Sequence, residues 1–199
     1  MSSALTPFKT KFLLAALPDV PFDGWTDELL RRAAERLKVS KTKVDMEFPR
    51  GAADLATCLF LWATDETLKK LARRDMAKLR VRERIALGVR TRLEILAPHK
   101  EAVRSALTFL ASPRQGLPLP KLVWRAADRL WWAAGDTATD YNHYTKRLLL
   151  SGVISATTLC WLNDTSPHHA KTWAFLDRRI DNVLKIGMTL GKLKKKEPA

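Results

Sequence analysis

The stretch of sequence that decides the fold is YNHYTKRLLLSGVISATTLCWLN, residues 141–163. From Leu148 to Asn163 it contains no charged side chain, so a helix here needs other helices over much of its surface. The uncharged run is shorter than the roughly 20 apolar residues that a membrane-spanning helix requires. We therefore predict a long core or interface helix over residues 142–162 and no transmembrane segment.

Long periodic segments separated by prolines occupy most of the other residues of this 199-residue chain, and strand-like alternation bounded by tight turns does not occur. The predicted fold class is all-α. Nine helices are predicted, near residues 7–17, 27–37, 41–48, 52–75, 82–96, 99–111, 120–134, 142–162 and from 167 onward. We divide the chain into a helix-turn-helix-like head at residues 1–50, a helical body at residues 51–191 and a basic tail at residues 192–199.

The last predicted helix carries apolar residues at alternating steps of three and four, namely Trp173, Leu176, Ile180 and Val183. This spacing is typical of a helix that packs lengthwise on another helix. Burial within one chain and pairing with a second chain explain the pattern equally well.

The sequence contains no complete catalytic or metal-binding motif. Asp140 and His143 have the spacing of half a carboxylate–histidine iron site, but a di-iron bundle needs a second such pair, which the sequence lacks. His168 and His169 are adjacent, so on a helix they point in different directions and do not share one metal ion. Glycine-rich phosphate loops and Gly-x-Ser-x-Gly motifs are missing as well. We predict a protein without catalysis, metal or cofactor.

The formal net charge of +14 is unevenly distributed. Residues 69–104 contain twelve Lys/Arg and four acids, whereas residues 26–49 contain six Lys/Arg and five acids. A DNA-binding head gains affinity by neutralising phosphates, and Asp45 and Glu47 in the helix predicted over 41–48 would repel them. A basic body with a near-neutral head instead fits an anionic membrane surface or an acidic protein. Ordinary solvated helix faces are the simpler alternative.

Four groups of residues carry a resemblance to a known family: Trp131-Trp132-Ala133-Ala134-Gly135-Asp136; Thr139-Asp140-Tyr141-Asn142; Tyr144-Thr145-Lys146-Arg147; and the series Trp173, Phe175-Leu176, Arg179-Ile180. They resemble the lipid-binding accessory proteins of ubiquinone (coenzyme Q) biosynthesis, with similarity over roughly residues 25–188. That family is similar in fold to the bacterial TetR regulators. The resemblance therefore implies a TetR-like fold and a non-catalytic accessory role. The alternatives are a ligand-responsive TetR repressor and a partner-binding module without a cavity.

In the family, a surface patch binds the di-iron hydroxylase that modifies a late, polyprenylated quinone precursor. The resemblance places this patch on the helix predicted over 120–134 and on the start of the next one. The predicted partner-binding residues are Asp128, Leu130, Trp131, His143, Tyr144 and Arg147. His143 departs from the family pattern, because the best-known eukaryotic relatives have tryptophan there.

The resemblance also implies a homodimer and a tunnel for an isoprenoid quinone or a phospholipid. The predicted lipid-binding residues are Leu59, Trp62, Val123, Ala126, Ala127, Leu130, Ala134, Gly152 and Ala156. Small residues on facing helices leave room for a ligand or permit close packing, and the sequence does not distinguish the two. TetR-like proteins dimerise through their last two long helices, so the predicted interface residues are Leu149, Val153, Trp173, Leu176 and Ile180.

Cys58 and Cys160 lie in apolar helical runs, which is typical of core residues in a reducing compartment. We expect a cytoplasmic protein that associates peripherally with the inner face of the cytoplasmic membrane. Beyond residue 184 only Ile186, Met188, Leu190 and Leu193 are suited to insertion, against five lysines. The predicted membrane contact is therefore weak and sensitive to salt.

Overall fold

A computed structural model describes residues 5–116, 118–136 and 141–194, excluding the side chains of residues 141–142 and 184–194. In these residues all regular structure is helical, which confirms the all-α prediction. The α-helices are α1 (Pro7–Ala16), α2 (Val20–Asp23), α3 (Asp27–Leu37), α4 (Lys41–Glu47), α5 (Ala52–Ala72), α6 (Val81–Leu96), α7 (Lys100–Ala111), α8 (Leu119–Ala133), α9 (Tyr141–Leu162) and α10 (Ala170–Lys194). None of the described helices is both long and apolar enough to cross a membrane.

Most of the helices begin close to the residues at which the sequence predicts them to begin. Thr26 caps α3, because its hydroxyl accepts a hydrogen bond from the Leu29 amide at 3.3 Å. The short helix α2 was not among the predicted helices. Pro21 lies in the first turn of α2, where a missing N–H costs nothing.

The start of α10 also differs from the prediction. Ser166 and Pro167 were expected to begin this helix, but His168 and His169 have positive φ angles of 51° and 56°, so a short 3₁₀ turn intervenes and α10 begins at Ala170. Asp164 holds the turn. Its carboxylate accepts hydrogen bonds from the amides of Ser166 at 2.8 Å and Thr172 at 2.9 Å, and from both hydroxyl groups.

The chain forms two compact units, and their limits differ from the predicted head and body. Unit 1 comprises residues 1–69 and 94–122 and contains α3 and α4, the helix-turn-helix pair. The rings of Phe12 and Phe48 lie 5.0 Å apart in its core. The indole N–H of Trp25 donates to the Ser105 hydroxyl at 3.0 Å, which ties the start of α3 to α7.

Unit 2 comprises residues 70–93 and 123–199. Its core is formed by buried side chains of α6, α8, α9 and α10, among them Ile85, Val89, Ala126, Ala127, Leu130, Trp131, Leu150, Val153, Ile154, Leu176 and Ile180. Helices α6 and α8 approach closely at Gly88, where an added Cβ would lie 2.8 Å from Leu130 Cδ2. The three-four pattern of α10 therefore serves the core of a single chain.

Candidate functional site

The candidate functional site is the junction between α8 and α9, which lies in unit 2. Helix α8 ends in a Schellman turn, in which the Asp136 amide donates to the Trp131 carbonyl and the Gly135 amide to the Trp132 carbonyl, both at 3.0 Å. Gly135 has a φ of +89°, a conformation that side chains disfavour. This turn places the Asp136 carboxylate against α9.

Arg147 is the centre of the junction. Its side chain is 0 % exposed, and its Nε donates to Asp128 Oδ1 at 2.6 Å while its Nη1 donates to Asp136 Oδ2 at 3.1 Å. Lys146 Nζ donates to the other oxygen of Asp136 at 2.6 Å. Two cations and two carboxylates thus form a neutral network that fastens the first turns of α9 to α8. Burial of an arginine is tolerated only with such partners.

Opposing effects act on the pKa of Asp136. Burial raises it, but hydrogen bonds and charge from Lys146 and Arg147 outweigh burial and lower the pKa below its ordinary value. Asp136 is therefore ionised at neutral pH, which keeps the network complete.

The structure places three of the six predicted partner-binding residues in the interior. Trp131 is only 7 % exposed, and its indole N–H donates to the Lys146 carbonyl at 3.0 Å. Leu130 belongs to the core of unit 2, and Arg147 lies beneath the surface. These three side chains hold the junction together, and a docking protein would not reach them directly.

The exposed side of the junction carries five other positions, which we call the aromatic surface: Trp124, Asp128, Trp132, His143 and Tyr144. Trp124 and Tyr144 stack with ring centroids 6.3 Å apart, and His143 meets Tyr144 edge-on at 5.2 Å. Trp132 is 57 % exposed and was not predicted. Its spacing of four from Asp128 and eight from Trp124 was the available signal.

The predicted lipid-binding residues are divided between the units, with Leu59 and Trp62 in unit 1 and the other seven in unit 2. Within unit 2, Ala126, Ala127, Leu130 and Ala134 are buried in the core. Val123 is half-buried beside that core, Ala156 is half-buried, and Gly152 is exposed. Small residues here accompany close helix packing.

An apolar cavity in unit 2 has a volume of about 20 Å³, lined by Val81, Arg82, Ile85, Trp131, Leu150, Val153, Ile180 and Val183. That volume holds about one water molecule, whereas pockets for drug-sized ligands have roughly 300–1,000 Å³. A quinone ring would enter this cavity only after the surrounding helices separate.

Most of the predicted dimer residues are used inside the chain. Val153, Leu176 and Ile180 are buried in the core of unit 2, and the Trp173 indole donates to the His168 carbonyl at 2.8 Å. Leu149 is half-buried. The side chains that α9 leaves exposed follow another stripe, Leu148, Gly152, Ser155 and Leu159, with Leu148 66 % and Leu159 57 % exposed. We call this stripe the outer face of α9.

The helix-turn-helix pair in unit 1 offers few cations to a phosphate backbone. Arg31 pairs with Glu28 and Glu35, Arg32 with Asp23 at 3.2 Å, and Arg36 with Asp19 at 2.7 Å. The exposed side of α4 presents Asp45 and Met46 together with Lys41 and Lys43. Within the described residues, no group of three His, Cys, Asp or Glu side chains is arranged to hold a metal ion.

The fold places the chain in the TetR-like class of all-α proteins. A TetR transcriptional regulator from Nitrosomonas europaea ATCC 19718 superposes with a TM-score of 0.70 over 90 % of this chain and 99 % of that one, at 21 % sequence identity. This likeness confirms the predicted fold. Residues 118–187, which include α8, α9 and most of α10, match the COQ9 family.

Similar proteins of known name agree with that match. The ubiquinone biosynthesis protein COQ9, mitochondrial, of Rattus norvegicus is 32 % identical over 92 % of this chain, and that of Homo sapiens is 31 % identical over 92 %. The probable counterpart of Dictyostelium discoideum is 26 % identical over 89 %. The chain thus carries a COQ9 domain and is related to the COQ9 proteins, which confirms the resemblance. It spans 61 %, 60 % and 60 % of the length of these three relatives.

Proposed function

We propose that the protein is a non-catalytic accessory factor of ubiquinone biosynthesis that binds an isoprenoid quinone or a phospholipid. In this role it presents quinone precursors to a di-iron hydroxylase of the pathway or stabilises that enzyme. One observation carries the proposal: the COQ9 match at residues 118–187 covers the helices that build the aromatic surface. The names of the relatives supply the pathway.

The aromatic surface is the proposed docking site for the hydroxylase. Trp132 and Tyr144 provide exposed rings, and Asp128, whose carboxylate is paired with Arg147, lies one helical turn before Trp132. Interface hot spots are enriched in tryptophan and tyrosine because these rings bury a large area with few rotatable bonds. The ionic network below keeps the two helices that carry these rings in register.

Extraction of the purified protein tests the lipid part of the proposal. We expect native mass spectrometry to detect bound quinone or phospholipid, released by organic solvent and absent from a similarly purified soluble control protein. The melting temperature should also rise when ligand is added, because a ligand that binds only the folded state stabilises it. Protein that is free of lipid and unchanged by added quinone would contradict the proposal.

A TetR-type repressor is the second candidate, favoured by the superposition alone. The ion pairs of Arg31, Arg32 and Arg36 and the acids on α4 argue against it. We expect only weak, nonspecific DNA binding that fades near 150 mM salt, where phosphate contacts lose strength. A sequence-specific footprint that persists there would assign the protein to the repressor class.

We also propose a homodimer that uses the outer face of α9. Leu159→Glu replaces an exposed apolar side chain of this stripe with a charged one, and burying an unpaired carboxylate is costly. We therefore expect sedimentation velocity to show a dimer for the wild-type protein and a monomer for the variant. Ala111→Glu, which adds the same charge at an exposed position of unit 1, should remain dimeric. A wild-type monomer at micromolar concentration would contradict the proposal.

A peripheral contact with an anionic membrane surface completes the proposed role. It would keep the protein close to the polyprenylated quinone pool, which resides in the bilayer. The relatives quoted above are mitochondrial by name, and for this chain we propose the inner face of a cytoplasmic membrane as the location.

A further inference from the structure

The segment that joins α5 to α6, in unit 2, is strongly basic. We call residues 70–82 the basic loop, which carries Lys70, Arg73, Arg74, Lys78, Arg80 and Arg82 but only one acid, Asp75. Because this short segment carries many positive charges, the electrostatic potential around it is strongly positive.

Part of this charge is not neutralised by the protein. Lys78 pairs with Asp75 at 3.1 Å, Arg80 with Glu83 at 2.7 Å and Arg82 with Asp181 at 2.9 Å. Lys70, Arg73 and Arg74 are exposed, and their side chains have no ion-pair partner among the described residues.

The loop backbone is held in place by Arg84. Its Nε donates to the Leu79 carbonyl at 2.8 Å, its Nη1 to the Ala134 carbonyl at 2.9 Å and its Nη2 to the Ala77 carbonyl at 3.4 Å. Arg84 therefore ties the loop to the C-terminal end of α8. The cations of the loop are displayed from an anchored backbone, which lowers the entropy lost when they bind an anionic surface.

An exposed aliphatic side chain accompanies these cations. Val81, at the start of α6, is 47 % exposed. Helix α6 also contacts α10. Arg82 pairs with Asp181, and Val81 lines a small cavity with Ile180 and Val183 of α10. The basic loop and α10 near residue 181 thus lie at the same end of unit 2, and α10 continues as a helix to Lys194.

We propose that the basic loop is the docking surface for the anionic face of a phospholipid bilayer. This gives the membrane contact proposed above a location, and it rests on that proposal. Unpaired cations suit phosphate headgroups, and Val81 suits the boundary between headgroups and acyl chains.

The test measures binding to phosphatidylcholine vesicles that contain about 30 mol% phosphatidylglycerol, which makes their surface anionic. The variant Arg73→Gln/Arg74→Gln removes two unpaired charges. Because one basic residue near such a surface changes affinity by about fivefold, we expect the double variant to bind about 25-fold more weakly at low salt. The control Lys38→Gln/Lys41→Gln lowers the net charge equally in unit 1 and should bind like the wild-type protein.

Three results overturn the proposal in different ways. If the wild-type protein does not bind anionic vesicles, the membrane contact itself is refuted. Equal losses in the loop variant and the control would show that only total charge matters, and an unchanged loop variant would reassign the loop to another partner, such as an acidic protein. The assay contains neither quinone nor hydroxylase, so its failure leaves the accessory role to be judged by ligand extraction and enzyme capture.

Discussion

Arg147→Met is expected to lower the free energy of unfolding by about 3–5 kcal/mol, the usual cost of removing one partner from a buried ion pair. Methionine keeps an unbranched apolar stem but has no guanidinium, so the change removes the charge and its hydrogen bonds. Among the described residues, it leaves Asp136, whose side chain is 8 % exposed, with Lys146 as its only cationic partner, and it leaves Asp128 without the Arg147 guanidinium.

Urea unfolding of both proteins at several pH values measures this effect. In the wild-type protein the lowered pKa of Asp136 means that its carboxylate stabilises the fold above the ordinary carboxyl pKa, and that this contribution is lost as pH falls through the lowered value. The difference between the proteins should therefore be largest near neutral pH and shrink below about pH 4. Arg178→Met, at an exposed position of α10, is the matched control. A variant as stable as that control would contradict the role of the network.

Trp132→Ala is expected to weaken capture of the quinone hydroxylase by about 30-fold or more, since truncating an interface anchor typically costs about 2 kcal/mol or more. The Trp132 ring is largely exposed, so the melting temperature should change little. Capture on immobilised variant protein, measured with purified hydroxylase, gives the affinity. Phe22→Ala removes an exposed ring from unit 1 and should leave capture unchanged.

The adjacent substitution Trp131→Ala should behave in the opposite way. It removes a buried ring and leaves the Lys146 carbonyl without its donor, so we expect a loss of about 3–5 kcal/mol in stability. Normal stability of Trp131→Ala together with lost capture would return the docking site to Trp131. If Trp132→Ala captures the hydroxylase as well as the wild-type protein does, Trp132 is not part of the docking site.

The helices themselves were largely predictable, because their signals are local. The uncharged run in α9, the Thr26 cap of α3 and the Gly135 turn each act through neighbouring residues. The start of α10 was placed a few residues early, because the carboxylate of Asp164 binds both Ser166 and Thr172 and so holds a separate turn between the helices.

The functional surface was less predictable, because adjacent residues on a helix differ by only about 100° in direction. Trp131 and Trp132 both fit a stripe that begins at Trp124 and Asp128. Packing of α8 on α6 and α9 buries the first and exposes the second. For the same reason the sequence did not show which side of α9 is exposed. It predicted an interface at Val153, but the core of unit 2 buries that side and leaves the outer face of α9 exposed.

By itself the sequence determined the all-α class, the long helices and the similarity to the ubiquinone accessory proteins, because periodicity, caps and motifs are properties of the chain. The tertiary structure alone decided which side of each helix is available. Arg147 shows the reason: the family resemblance suggested a surface contact, but Asp128 on α8 and Asp136 beyond the helix end meet it in the interior. A buried charge is stable only where partners distant in sequence converge, and that convergence is a property of the packed helices.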